Sequence, residues 1–241
     1  MRIAVIDIAR TAALVAMVVF HFTYDLELFG FASRGTIASR EWVLFAQAIA
    51  GSFIFLSGVS LVLAAQGGPP DRRKYLKRLA MIGAAAIAVS LGTYVAMGSA
   101  FVRFGILHIL FCASILGLVF LRRGFWLAGL FGIVVVALPH TASWPFVNSV
   151  YLLWLGATIE PLPAMVDYIP LIPWFGVFLL GMSFAQLVTR LGAWGGLAGM
   201  LDPARRGVRL ISWPGKHSLA VYLIHQPVLF GGVYLAKVVL G

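Results

Sequence analysis

The stretch IAVIDIARTAALVAMVVFHFTYD, residues 3–25, decides the fold. Its apolar body is as long as the roughly 20 residues that a helix needs to cross a hydrocarbon core. Yet Asp7, Arg10, Leu14, Met17, His21 and Asp25 follow one another at steps of three or four, so they share one face of a helix. At about 1.5 Å per residue, Asp7 and Asp25 stand roughly 27 Å apart, near opposite membrane faces. A secretory leader would begin and end differently: Asp7 and Arg10 interrupt the start of the apolar run and no A-x-A-like site closes it. The stretch reads as a retained first membrane helix with a polar stripe.

The rest of the chain has the same character. Of 241 residues, 61% are hydrophobic and 11% charged, with mean hydropathy +0.99. A soluble domain carries about a quarter charged residues. The expected fold is therefore all-α, a polytopic transmembrane helix bundle forming a single domain over residues 1–241. Seven spans are expected, at about 3–24, 42–65, 76–97, 101–121, 124–140, 170–189 and 215–238. Gly67, Gly68, Pro69 and Pro70 make a turn between the second and third. Residues 147–158 are apolar but short for a crossing, and an eighth span there is the alternative. The Gly- and Arg-rich segment 190–215 reads as a surface loop, partly amphipathic.

A net charge of +10 raises the question of a nucleic-acid partner, but the cations sit in short connections, as positive-inside topology requires. With the N-terminus inside, seven spans place Arg2, Arg10, Arg72, Arg73, Lys74, Lys77, Arg78, Arg122, Arg123, Arg190, Arg205, Arg206, Arg209 and Lys216 on the inner side. Only Arg34, Arg40, Arg103 and Lys237 fall outside, so 14 of the 18 Lys and Arg residues are inner. No nucleic acid is expected, and the C-terminus is expected outside. The single cysteine, Cys112, excludes an intrachain disulfide and reads as packing.

Ionisable groups inside a membrane are costly and mark functional positions. Asp7 and Arg10, three apart, form a structural ion pair. His21 and Asp25, four apart, can form a couple in which the carboxylate orients the imidazole for general-base work; the alternative is a histidine and an aspartate at the wet interface. His108 and His225 lie within apolar runs. For His225 a hydrogen bond to helix backbone near Pro227 competes with a binding role. Arg103 serves as an anion site or as an interfacial anchor. Asp167 caps the helix that follows it or faces an acceptor. Gly58 and Ser57 suit close helix packing. There is no phosphate-binding glycine loop, no metal-type histidine pair and no serine-nucleophile motif, so no metal is expected.

Several of these residues fall in a collinear set: Ile6 to Arg10 with Met17 to Leu26, Phe53 to Gly58, Tyr75 to Arg78, Arg103 to His108, Tyr168 to Gly176 and His217 to Pro227. In this set the chain resembles the catalytic membrane domain of the heparan-alpha-glucosaminide N-acetyltransferase family, in its short bacterial form. The resemblance implies an acyltransferase of the bacterial inner membrane that moves an acetyl group from cytosolic acetyl-CoA to a sugar or envelope glycan beyond the membrane. His21 would act as base with Asp25, and His108 and Arg103 would bind or polarise the thioester. Asp167 and His225 would contact the acceptor. Arg72, Arg73, Arg78 and Arg10 would hold the CoA phosphates. Membrane lipids are implied partners, and a homo-oligomer is left open. Sugar-acetylating eukaryotic members are similar near Met17 but have asparagine in place of His21 and a histidine farther along the next loop; Phe29 to Gly35 here contains none. Two other classes compete: a b-type haem carrier using two of His21, His108 and His225, and a small-molecule transporter using the polar stripe.

Overall fold

The computed structural model describes residues 3–68, 71–141, 149–156 and 162–240. Among the described residues nine α-helices follow in chain order: α1 Ala4–Leu28, α2 Arg40–Ala64, α3 Arg72–Met97, α4 Ile106–Gly117, α5 Phe125–Thr141, α6 Leu171–Arg190, α7 Trp194–Gly199, α8 Arg206–Lys216 and α9 Ser218–Leu240. Among the described residues there is no β-strand, only an isolated parallel bridge between Phe104 and Tyr168. The all-helical architecture follows from an apolar chain whose backbone groups must be satisfied within each segment.

Among the described residues five helices are long and apolar enough to cross a membrane: α1, α2, α3 with its 3₁₀ extension to Ala100, α6 and α9. The expected fourth and fifth spans are shorter apolar helices, Ile106–Phe120 and Phe125–Pro139. The fourth begins five residues later than its hydropathy suggests, because residues 101–105 run extended beside 166–169. Val166 N–H donates to Ala100 O, and Ile169 N–H to Phe104 O, both at 3.0 Å. Within 147–158, Val150–Leu155 is a 3₁₀ turn of six residues, about 12 Å long at 2.0 Å per residue; residues 147, 148, 157 and 158 lie outside the described residues, as do Pro69 and Pro70 of the expected turn. The expected surface loop 190–215 contains the two short helices α7 and α8.

The chain divides into two compact units, Ile54–Ala193 and, from the two ends of the chain, Arg2–Phe53 with Trp194–Gly241. We call them the central and terminal units; α2 contributes residues to both. In the central unit, glycine sets the helix spacing. A Cβ on Gly58 would overlap the Phe178 carbonyl, and one on Gly181 the Phe55 carbonyl. Gly132 and Gly176 bring α5 and α6 equally close, and Ser183 Oγ donates to Phe125 O at 2.7 Å. Small residues substitute here for the hydrophobic drive that lipid removes.

In the terminal unit α1 buries Asp7, Thr11, Leu14, Met17 and Asp25, the stripe seen in the sequence. Leu14 and Met17 pack with Ile49, Phe20, Phe45, Val221 and Tyr222. Along α1 the partners in α9 climb in the same order. His21 meets His225, Asp25 meets Gln226, and Phe29 meets Phe230 and Tyr234. The two helices therefore run parallel.

Candidate functional site

In the terminal unit the polar stripe of α1 begins with an ion pair. Arg10 Nη1 donates to Asp7 Oδ1 at 3.0 Å, with Asp7 almost wholly buried. One turn on, Thr11 Oγ1 donates to Ile211 O at 2.7 Å and accepts from Gly215 N–H at 2.9 Å, which clasps α8 to α1. A Cβ on Gly215 would overlap the Asp7 carbonyl oxygen, so only glycine permits this approach.

Ten residues above Thr11 lies a cluster of four polar side chains. His21 and His225 stand with ring centroids 5.0 Å apart and planes 59° apart. Asp25 is 0% exposed; its Oδ1 accepts from Gln226 Nε2 at 2.9 Å. Its Oδ2 is buried without a partner among the described residues. The expected hydrogen bond between His21 and Asp25 is thus not formed: α9 crosses at this level and its Gln226 amide takes the carboxylate. Spacing on α1 alone gave no sign of a donor 201 residues away.

His225 Nδ1 lies 2.6 Å from Tyr222 O. A carbonyl only accepts, so Nδ1 carries the proton and Nε2 carries the lone pair. That Nε2 is buried and has no partner among the described residues, like Gln226 Oε1. The bond is to backbone of the same helix, not of a neighbouring one as the sequence suggested, and it fixes the tautomer that leaves the other nitrogen basic. Three orphaned atoms, Asp25 Oδ2, Gln226 Oε1 and His225 Nε2, accept hydrogen bonds. Buried polar atoms are ordinarily paired, and this set suits a ligand that brings O–H or N–H donors. Gln226 was missed in the sequence, although its position in an apolar run beside His225 was a usable signal.

The central unit holds a second polar group. His108, in the first turn of α4, accepts from Gly105 N–H through Nδ1 at 3.2 Å, and its Nε2 faces Ser90 Oγ at 3.3 Å. Ser90 Oγ in turn donates to Val102 O at 2.7 Å. With Nδ1 accepting, Nε2 carries the proton toward the serine, so both nitrogens are occupied. In this tautomer no ring lone pair of His108 is left free. Asp167 Oδ2 accepts from Ile106 N–H at 3.0 Å and caps α4; the helix it was expected to cap, α6, follows it in sequence. A Cβ on Gly105 would overlap that carboxylate. Burial pushes the Asp167 carboxyl up to about 6, against the opposing effect of the Ile106 N–H. Arg103 lies over the Phe101 ring, 4.8 Å from guanidinium carbon to centroid, and its Nη1 is buried without a partner among the described residues.

The cations assigned to CoA divide. Arg72 and Arg73 are exposed in the first turn of α3, where Asp71 caps the helix by accepting from Arg73 N–H and Lys74 N–H. Arg78 is half-buried two turns along. Arg10 belongs to the terminal unit and is paired with Asp7. Among the described residues, no group of three His, Cys, Asp or Glu side chains is arranged to hold a metal. Haem ligation does not fit either: 5.0 Å between the His21 and His225 rings leaves no room for a porphyrin, and His108 has both nitrogens engaged.

No curated protein and no solved structure gives a significant match to the chain. The family model described as heparan-alpha-glucosaminide N-acetyltransferase, catalytic, matches residues 2–227. That match takes in both polar groups and every motif that carried the resemblance, and the chain belongs to the heparan-alpha-glucosaminide N-acetyltransferase catalytic-domain family.

Proposed function

We propose that the protein is a membrane acetyltransferase that takes the acetyl group from acetyl-CoA and passes it to a hydroxyl or amine of an extracytoplasmic sugar or envelope glycan. The observation that carries this reading is the set of three buried acceptor atoms on Asp25, Gln226 and His225 that have no partner among the described residues, in a chain of an acetyltransferase family. Such a set complements a polyol or amino sugar, whose surface is rich in donors.

In this mechanism the acceptor O–H or N–H lies against the His21 and His225 rings. His225 Nε2 takes its proton as the acceptor atom attacks the thioester carbonyl. The new carbon–oxygen or carbon–nitrogen bond forms, the carbon–sulfur bond breaks, and the CoA thiolate leaves and is protonated. His21 holds the acceptor from the α1 side, while Asp25 and Gln226 bind its remaining donors. His108 and Asp167 shape the entry to α4, and Arg103 offers its unpaired Nη1 to a carbonyl or anionic oxygen. Arg72, Arg73 and Arg78 receive the CoA phosphates from the cytoplasm.

The accompanying topology has the N-terminus inside and seven spans in a bacterial inner membrane, α4 and α5 crossing with the five longer helices. Parallel α1 and α9 support an odd number of crossings, because two helices that cross in the same direction must be separated by an odd number of others. Eight spans would break that rule.

The test is acetyl-CoA consumption by purified protein in proteoliposomes supplied with candidate sugars. We expect His225→Ala and His21→Ala to lose roughly 100-fold or more, the usual worth of general-base catalysis. Consumption at the wild-type rate by a folded His225→Ala protein would refute the assignment of the base. Sugar flux without acetyl-CoA consumption would refute the transferase reading.

A further inference from the structure

Helix α8 carries three distinct faces in eleven residues. At about 100° per residue, Ser212 and Gly215 share the sector that is buried, with the Thr11 clasp fixing it on α1. Leu210, Ile211 and Pro214 share a second sector; Leu210 is 63% and Ile211 55% exposed. Arg205 at the helix start, Arg209 and Lys216 share a third, with Arg206 at its edge. Trp213, 56% exposed, lies between the cationic and apolar sectors and tilts over His217 at 4.8 Å.

Leu210 and Ile211, with Trp213 beside them, form a contiguous exposed apolar strip of the kind that marks an interaction surface, and a helix inside the hydrocarbon would not keep three exposed arginines. The level of α8 is also set. Its last residues are bonded to Thr11, in the second turn of α1, and lead into α9 at Ser218, so it lies where two candidate spans begin. We propose that α8 is a membrane-interface helix whose cationic face binds the headgroups of anionic phospholipids while Leu210 and Ile211 enter the acyl region. Trp213 sits at the boundary, where indole rings favour the headgroup level. The opposite signs of arginine and headgroup phosphate select acidic lipid over zwitterionic lipid. The Thr11–Gly215 clasp then carries the seating of α8 to α1.

The test uses the full chain in liposomes and in detergent. Fluorophores on Leu210→Cys and Arg209→Cys, each in a Cys112→Ser background, are exposed to acyl-chain nitroxide and to aqueous iodide. The expected result is nitroxide quenching at 210 and iodide quenching at 209; iodide quenching at both positions would overturn the proposal. Native mass spectrometry should find phosphatidylglycerol retained over phosphatidylcholine, and Arg205→Gln/Arg206→Gln/Arg209→Gln should lower that retention at least about tenfold. Undiminished retention by the variant, or displacement of the lipid by free CoA, would overturn the headgroup assignment. The two single-cysteine proteins keep the placement testable if the triple variant fails to fold.

Discussion

Replacing Gln226 with leucine probes the link that spacing on α1 did not reveal. Asp25 has no exposed surface and one observed donor, Gln226 Nε2 at 2.9 Å. Leucine keeps much of the side-chain bulk and removes the donor, leaving both carboxylate oxygens without a partner among the described residues. A hydrogen bond to a charged group contributes about 1.5–3 kcal/mol, which corresponds to roughly 10–150-fold in rate if the bond orients Asp25 in the transition state. Initial rates of acetyl transfer in proteoliposomes are compared for wild type, Gln226→Leu, Asp25→Asn and the double variant, with thermal unfolding in detergent as the control for folding. A pair acting as one unit gives a double variant little worse than the poorer single one. Wild-type turnover by a stable Gln226→Leu protein, or losses that simply multiply, would refute the coupling.

Other outcomes follow from the remaining contacts. The Asp167 carboxyl is raised to about 6 by burial, so the folded state holds this proton more tightly than the unfolded chain. Stability from this group is then fully present below about pH 4 and declines as pH rises to about 6; the melting temperature across that window should fall in wild type and be flatter in Asp167→Asn. Gly215→Ala forces α8 off the Asp7 carbonyl. It should cost about 1–3 kcal/mol by overpacking, read as a lower melting temperature, whereas an unchanged value would contradict the close approach.

Much of this was open to reading because a membrane makes the chain declare itself. The stripe from Asp7 to Asp25 was legible as a helix face because burial in α1 repeats at the helix period. Spans at α1, α2, α3, α6 and α9 emerged from apolar length alone. The start of α4 was not legible: residues 101–105 are apolar enough to continue a helix, but backbone pairing with 166–169 holds them extended. Asp167 was read as a cap, and the helix it caps lies 61 residues earlier, a pairing visible only in three dimensions. The same holds for His225, whose role depends on which nitrogen faces Tyr222. Hydropathy reports how much apolar surface a segment has, and it is silent on which distant donor meets which acceptor.

The parallel pairing of α1 and α9 brings the first and last motifs of the sequence into one polar cluster. The Thr11–Gly215 bond ties α1 to α8, which leads into α9 at Ser218, and α1 rises ten residues from Thr11 to His21, which meets His225 of α9. At about 1.5 Å per residue that is some 15 Å from the α8 level, close to half of a hydrocarbon core about 30 Å thick. A cluster at that depth is reached from the far side by an acceptor only if the upper turns of α1 and α9 part or line a polar path. In the proposed reaction the slender pantetheine arm of the donor would reach it from the near side. The Asp25 carboxylate lies one turn farther along α1 than His21. Under the proposed topology, that carboxylate would stand on the side from which the acceptor approaches.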